Sequence, residues 1–174
     1  MKLLIKKLHP DAIIPTKNNS TDAGIDIYAL EDVSILPGET VKVRTGIAIQ
    51  LYANGGLVDL AGEKLYVNLL WDRSGLGSKG IHRLAGVIDQ SYTGEVLVCL
   101  TNLNILPVLN NLYENLQFRS NESLSTFPDK YAHKIKKGDR IAQILIQEII
   151  PVNITESELQ TTERGDNGFG SSGR

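Results

Sequence analysis

Five short segments of the 174-residue chain concentrate residue types able to do acid–base or anion chemistry. In Gly86-Val87-Ile88-Asp89-Gln90-Ser91-Tyr92-Thr93-Gly94-Glu95-Val96, apolar residues run into and out of a polar bend. That pattern predicts a β-hairpin with Asp89 and Tyr92 near its tip. A carboxylate fixed there can orient a water and take its proton beside a bound substrate; an aspartate that only stabilises a turn looks the same. In Arg73-Ser74-Gly75-Leu76-Gly77-Ser78-Lys79-Gly80, glycines expose backbone N–H groups, Ser74 adds a hydroxyl and Arg73 a forked cation, a set suited to phosphate oxygens. The order of residues is not that of a Walker A loop, and a plain glycine-rich turn fits equally well.

The third segment is the tail Arg164-Gly165-Asp166-Asn167-Gly168-Phe169-Gly170-Ser171-Ser172-Gly173. A lone ring between glycines can swing onto a flat base while Arg164 and the hydroxyls meet terminal phosphates, or the tail is simply floppy. In Gly138-Asp139-Arg140-Ile141-Ala142-Gln143 a turn enters a strand, and the Gln143 amide can donate. In Thr21-Asp22-Ala23-Gly24-Ile25-Asp26-Ile27-Tyr28 the carboxylate of Asp26 falls among apolar strand residues, where it needs a cation or donors.

The elements that must position these groups are short strands. Apolar residues recur with period two over 3–8, 25–30, 33–36, 41–44, 47–51, 65–71, 96–101 and 144–150. Pro37-Gly38, Asn54-Gly55-Gly56, Thr93-Gly94 and Lys137-Gly138-Asp139 punctuate them as turns. Many short strands with frequent turns predict an all-β antiparallel sandwich or barrel. Two stretches depart from this: 107–119, where Leu109, Leu112 and Leu116 suggest a short amphipathic helix followed by a polar loop, and 161–174, which has no core-forming pattern. The expected division is a domain over 1–160, with an insertion at 102–136, and a flexible arm over 161–174.

Charge and cysteine content narrow the function. With 18 basic and 20 acidic side chains the net charge is −2, so no global basic field exists to hold nucleic acid by its phosphates. The one cysteine, Cys99, excludes an internal disulfide framework and a zinc quartet and fits a reducing compartment. The first residues are too charged and too few for a signal peptide, and no apolar run approaches a membrane span. A cytoplasmic protein with no membrane association is expected.

Taken together and in order, the five segments resemble the homotrimeric dUTP diphosphatases (dUTPases), with coverage from Asp22 to Gly173. The resemblance implies a β-jelly-roll subunit and a threefold trimer whose active sites draw motifs from different chains. It implies hydrolysis of dUTP to dUMP and pyrophosphate, which limits uracil incorporation into DNA and supplies dUMP for dTMP synthesis. In that scheme Asp89 orients the water that attacks the α-phosphorus. Tyr92 packs beneath the deoxyribose, and the backbone around Gly86 and Ile88 reads the uracil edge. Ser74, Gly75 and Gln143 hold the phosphate chain with Arg73 beside them, and Asp26 meets Mg²⁺ only through a water. The arm of a third chain closes the site, Phe169 stacking on uracil while Arg164, Gly170, Ser171 and Ser172 surround the outer phosphates.

Some positions depart from the family pattern. Asp72 stands where a proline is usual and is expected to add negative charge near the triphosphate. The stretch 77–81 is slightly short, and Ser91 replaces a frequent acidic residue. Insertions at 53–64 and 102–136 are reminiscent of viral and phage members, which would place the protein in a host cytoplasm. Two other functions compete: a dCTP deaminase-like reaction on a related fold, and a nucleotide-gated regulator binding a protein partner through 102–136.

Overall fold

The computed structural model describes residues 1–53, 56–57, 65–105, 109–110, 113 and 131–166. Among the described residues, besides helical positions at Leu109, Asn110 and Tyr113, the chain runs through β1 (Lys2–Lys7), β2 (Ile25–Tyr28), β3 (Val33–Ile35), β4 (Thr40–Arg44), β5 (Ile47–Ala53), β6 (Gly56–Leu57), β7 (Leu65–Trp71), α1 (Ser74–Gly77), β8 (Ile81–Leu84), β9 (Val87–Ile88), β10 (Leu97–Asn102), β11 (His133–Ile135) and β12 (Arg140–Ile149). All strand pairings among the described residues are antiparallel, in sheets ordered β1-β5-β6, β4-β10-β8, β11-β3 and β2-β12-β7-β9. The period-two patterning predicts an all-β antiparallel sandwich or barrel, and the strands form the jelly-roll that the resemblance implies.

The inward side chains of these strands form one core. Ile27, Ile35, Val43, Ile47, Val98, Leu100, Ile141 and Ile144 are almost completely buried and belong to a single cluster. Branched aliphatics dominate because they pack well on a pleated surface. Strand β12 is the spine for function: it lies between β2 and β7, so Gln143 faces Asp26 on one side and Trp71 on the other. A register shift between Arg140 and Ala142 interrupts the β2 pairing and brings Arg140 close to Asp26.

Several elements differ from the expectation. The polar bend after Ile88 is not the tip of a hairpin. β9 pairs with β7, whereas the returning chain joins β4 and β8 in another sheet, with Val96 N–H bonded to the Ile47 carbonyl. Residues 89–96 therefore cross between sheets, because Val96 and Val98 bury their side chains in the core instead of completing a ladder with β9. Strands β8 and β11 carry no period-two run long enough to announce them; they form because β10 and β3 offer them backbone partners. Strand β12 begins at Arg140, before the expected start at 144.

In the first insertion, β6 pairs with β5; residues 58–64 lie outside the described residues. Of the helix expected over 107–119, Leu109, Asn110 and Tyr113 are helical and exposed, and Leu112 and Leu116 lie outside the described residues. Residues 151–162 form no strand or turn and are exposed; a turn follows in which Gly165 N–H bonds to the Thr162 carbonyl. Among the described residues no helix is long and apolar enough to cross a membrane.

Candidate active site

The carboxylate of Asp26 is buried at the centre of the first group of motif residues. Arg73 Nε donates to its Oδ1 at 2.8 Å and Arg140 Nη1 donates to its Oδ2 at 3.2 Å. The cation demanded by an acid on an apolar strand is thus supplied twice, once from the turn after β7 and once from β12. Arg73 also donates to the Arg140 carbonyl at 3.4 Å, which locks the two arginines to each other. The two guanidinium groups are offset by Asp26 between them and by Asp22 in the pocket lining, so what they offer an anion is forked N–H donors and no net positive charge.

Around this centre opens a polar pocket of about 470 Å³ lined by Asp26, Arg73, Ser74, Arg140, Gln143 and the loop residues Asn18, Asp22, Ala23 and Gly24. Gln143 Nε2 donates to the Asp72 carbonyl at 2.8 Å, which fixes the amide beside the turn that carries Arg73 and Ser74. Gly24 is required for that placement, since a methyl group there would run into the Gln143 side-chain oxygen. Ser74 opens α1, whose first-turn N–H groups lack intrahelical acceptors. Gly75 follows on the exposed face of the same turn.

Asp72 does not add its charge to this pocket. Its Oδ1 accepts the Arg83 N–H at 2.6 Å and its Oδ2 faces His82 Nδ1 at 2.8 Å, so the carboxylate turns away toward β8. The expectation of a repulsive charge beside a triphosphate is corrected accordingly: the edge strand β8 offers an outward backbone donor, and Asp72 takes it.

Asp89 and Tyr92 lie elsewhere. They line a second pocket, of about 230 Å³, with Val87, Ile88, Glu95, Val96 and Leu97. The Asp89 side chain is exposed, while its carbonyl accepts the Tyr92 N–H at 3.0 Å. Tyr92 Oη donates to the Glu95 carbonyl at 2.9 Å, which holds the ring over Gly94. Glu95 anchors the whole crossing: Arg44 binds its carboxylate at 3.2 Å and Gly46 N–H donates to Oε1 at 2.8 Å. Gly86 is not in this pocket. With φ of +138° and its carbonyl accepting Leu70 N–H, it belongs to a neighbouring apolar pocket with Trp71, Arg83 and Val87.

The ladder sets the distance between the two groups. Leu69 pairs with Val87 and Asn68 with Ile88, which puts Asp89 level with Val67, four residues short of the Trp71 that faces Gln143. Four extended residues span roughly 13 Å. Within one chain, Asp89 and Gln143 therefore line two separate pockets.

Arg164 is exposed in the described part of the arm; Phe169, Gly170, Ser171 and Ser172 lie outside the described residues. Asn18, Asp22 and Arg140 line the pocket without having been singled out by the sequence. Arg140 sits inside the Gly138 to Gln143 motif, but only the irregular β2 pairing brings it to Asp26. Asn18 carries no signal beyond its polar loop.

Mg²⁺ fits this donor set only indirectly. Among the described residues no cluster of three or more His, Cys, Asp or Glu side chains could cage an ion. Both oxygens of Asp26 already accept from arginine, so their remaining lone pairs suit a hydrogen bond from a metal-bound water.

The dUTPase family model matches residues 10–111 and 128–173, leaving 112–127, inside the second insertion, unmatched. A deoxyuridine 5'-triphosphate nucleotidohydrolase of Nautilia profundicola is 38% identical over 178 aligned positions that cover all of both chains. Among solved structures, the Staphylococcus bacteriophage 80alpha dUTPase with dUPNHPP is similar at a TM-score of 0.73 and 29% identity, covering 99% of this chain and 98% of that one. A point mutant of the dUTPase from phage phi11 of S. aureus, described with a structural Mg(II) ion, gives a TM-score of 0.62 at 25% identity, covering 94% and 97%. The match runs through all five motifs, and the segments that position Asp26, Ser74, Asp89 and Gln143 all fall inside it: this chain belongs to the dUTPase family.

Proposed function

We propose that the protein hydrolyses dUTP to dUMP and pyrophosphate in a site assembled from more than one copy of the chain, with Asp89 of one copy serving the phosphate pocket of another. The single observation that carries this reading is the separation of the two half-sites along β7. One holds a carboxylate and a ring at the Asp89 pocket, and the other holds arginines, a hydroxyl and an amide around Asp26. Neither half is complete. A symmetric trimer supplies each with its complement three times over, as cyclic assemblies do.

In the joined site Ser74, Gly75 and Gln143 would donate to the phosphate chain, and Arg73 and Arg140 would offset the carboxylates of Asp22 and Asp26 beside it. Bound with the nucleotide, Mg²⁺ would draw negative charge off the triphosphate, with Asp26 holding one of its waters. Asp89 would orient a water in line with the α-phosphorus and accept its proton. Tyr92, braced by the Glu95 carbonyl, offers a flat wall to the deoxyribose on which an added 2′-hydroxyl would clash. The backbone at Ile88 would read uracil, and the arm of a third copy would bring Arg164, Phe169, Ser171 and Ser172 over the ligand. Such an activity in the cytoplasm would keep uracil out of DNA and supply dUMP.

The test is a pyrophosphate-release assay on dUTP, dTTP, dCTP and UTP, each with and without Mg²⁺. Release from dUTP alone, strengthened by the metal, is expected. Ammonia from dCTP would instead establish the deaminase-like reaction. A second role, capture of a protein partner, is favoured by one observation: the family match stops at 111 and resumes at 128, so that segment is surplus to the shared fold. Deleting 112–127 should leave dUTP turnover in place and abolish any nucleotide-dependent partner binding.

A further inference from the structure

The phosphate turn is held at both ends by side chains outside the proposed substrate contacts. At its entrance Asp72 joins three elements. Its carboxylate takes the Arg83 N–H at 2.6 Å and faces His82 Nδ1 at 2.8 Å, both on β8, while its carbonyl accepts from Gln143 Nε2 of β12 at 2.8 Å. β8 and β12 belong to different sheets, so Asp72 pins the chain between them before it turns into Arg73 and Ser74.

At the exit the helical turn runs on past Gly77, with Lys79 N–H bonded to the Leu76 carbonyl at 2.9 Å and Gly80 N–H to the Gly77 carbonyl at 3.0 Å. Asn104 closes it. Its Nδ2 donates to the Lys79 carbonyl at 2.7 Å and to Asn102 Oδ1 at 2.9 Å, and the neighbouring Leu103 N–H donates to the Gly80 carbonyl at 2.8 Å. Gly80, at φ of +72°, lies so close to Asn104 that a methyl group would come within 2.6 Å of its side chain. Asn102, in turn, is fully buried and donates to the Ile35 and Tyr131 carbonyls at 3.0 and 3.3 Å. The exit is therefore fixed to the two roots of the 102–136 insertion.

We propose that Asp72 and Asn104 are positioning residues for phosphate binding, clamping the Ser74 turn from its two ends. The inference rests on the dUTPase reading. Ser74 and Gly75 are exposed and the helix they open has only four residues, so its own hydrogen bonds hold it weakly and the two clamps decide where its donors point. Neither residue touches the nucleotide in this scheme. Loss of either should therefore weaken the grip on phosphates in ground state and transition state alike, which appears in KM and not in kcat.

The experiment compares Asp72→Ala, Asn104→Ala and the double variant with the intact protein, measuring KM and kcat for dUTP and the inhibition constant of deoxyuridine, which has no phosphate. Each single variant is expected to raise KM about 5-fold, the scale of one lost hydrogen bond, with kcat within about 2-fold and the deoxyuridine constant unchanged. The double variant should fall short of the product of the two effects, because a turn freed at one end has less left to lose at the other. Asp72→Asn, which keeps an acceptor for the Arg83 N–H, should restore KM to within about 2-fold. If an alanine variant does not fold, Asp72→Ser and Asn104→Asp give the same readout; the latter sets an acceptor against the Lys79 carbonyl without changing size. An unchanged KM in both single variants, or a deoxyuridine constant rising in step with KM, overturns the proposal. An intact protein that fails to hydrolyse dUTP overturns the dUTPase reading and the clamp with it, whereas an active protein with indifferent variants overturns the clamp alone.

Discussion

Asp89 and Gly24 show how differently two site residues are constrained. Asp89 is exposed, and among the described residues no hydrogen bond or ion pair holds its carboxylate, so its replacement costs the fold little. Asp89→Asn should keep folding and dUTP affinity close to those of the intact protein and lower kcat by at least about 10²-fold, the scale of a lost general base. Single-turnover rates beside equilibrium dUTP binding check this, and a near-normal rate removes Asp89 from the role. Gly24 acts through Gln143: an added methyl has nowhere to go but into the amide, which must then leave the Asp72 carbonyl. Gly24→Ala should raise KM for dUTP by roughly 10-fold through the displaced donor while leaving the melting temperature within a few degrees. Asp26 is the most legible of the site residues. A carboxylate between Ile25 and Ile27 announces that cations must arrive from elsewhere, although nothing in the order of residues says that there are two or that one is Arg140. The opposite holds for Asp72, whose type suggests repulsion near phosphate. Its effect depends on which way the side chain turns, and that is set by an N–H on a strand more than ten residues away.

At the scale of elements, period two identifies the strands whose one face is buried, such as β1 and β4, because alternation is what a half-buried strand requires. It fails where an element is held by partners and not by its own pattern. β11 has three residues and exists because β3 accepts it, and β8 follows β10 in the same way. The crossing after β9 reads as a hairpin for a related reason. A polar bend between apolar runs is compatible with a turn back onto the same sheet or a passage to another, and only the fate of Val96 and Val98 decides. β11 also carries a pH dependence. Burial, and then the Lys79 charge, hold the His133 imidazole below its ordinary range, with Asp139 opposing. The folded state therefore resists the proton that the unfolded chain accepts, so His133 costs stability as pH falls below the unfolded value of about 6.5. Chemical denaturation at pH 7.5 and pH 5.5 should show a smaller loss of stability between the two in His133→Gln than in the intact protein; identical differences would show that His133 contributes nothing to it.

The whole molecule leaves apolar surface that one chain does not cover. Ile150, Val152, Ile154 and Leu159 are between 76% and 97% exposed along the segment after β12, and Val87 is 71% exposed beside the Asp89 pocket. An assembly of the kind proposed above would have such surface to cover. The shared site proposed above would call for such an assembly, since the Asp89 pocket and the Gln143 pocket are separate within one chain. A mixing experiment tests this without any structure of the assembly. Asp89→Asn destroys one half-site and leaves the phosphate pocket whole; Gln143→Ala weakens the phosphate pocket and leaves Asp89 whole. Assayed at dUTP well below KM, Asp89→Asn alone should be nearly inactive and Gln143→Ala should keep about a tenth of the original activity, the scale of one lost donor. When the two are co-refolded in equal amounts, a site formed between neighbouring copies draws its Asp89 half and its phosphate half independently. Each half is intact in half of the copies, so roughly a quarter of the sites are whole and about a quarter of the original activity should return. If every site were built within one chain, no mixture could contain a whole one, and activity would stay at the level of the separate variants. The recovered fraction therefore reads out directly whether the Asp89 pocket of one copy completes the phosphate pocket of the next.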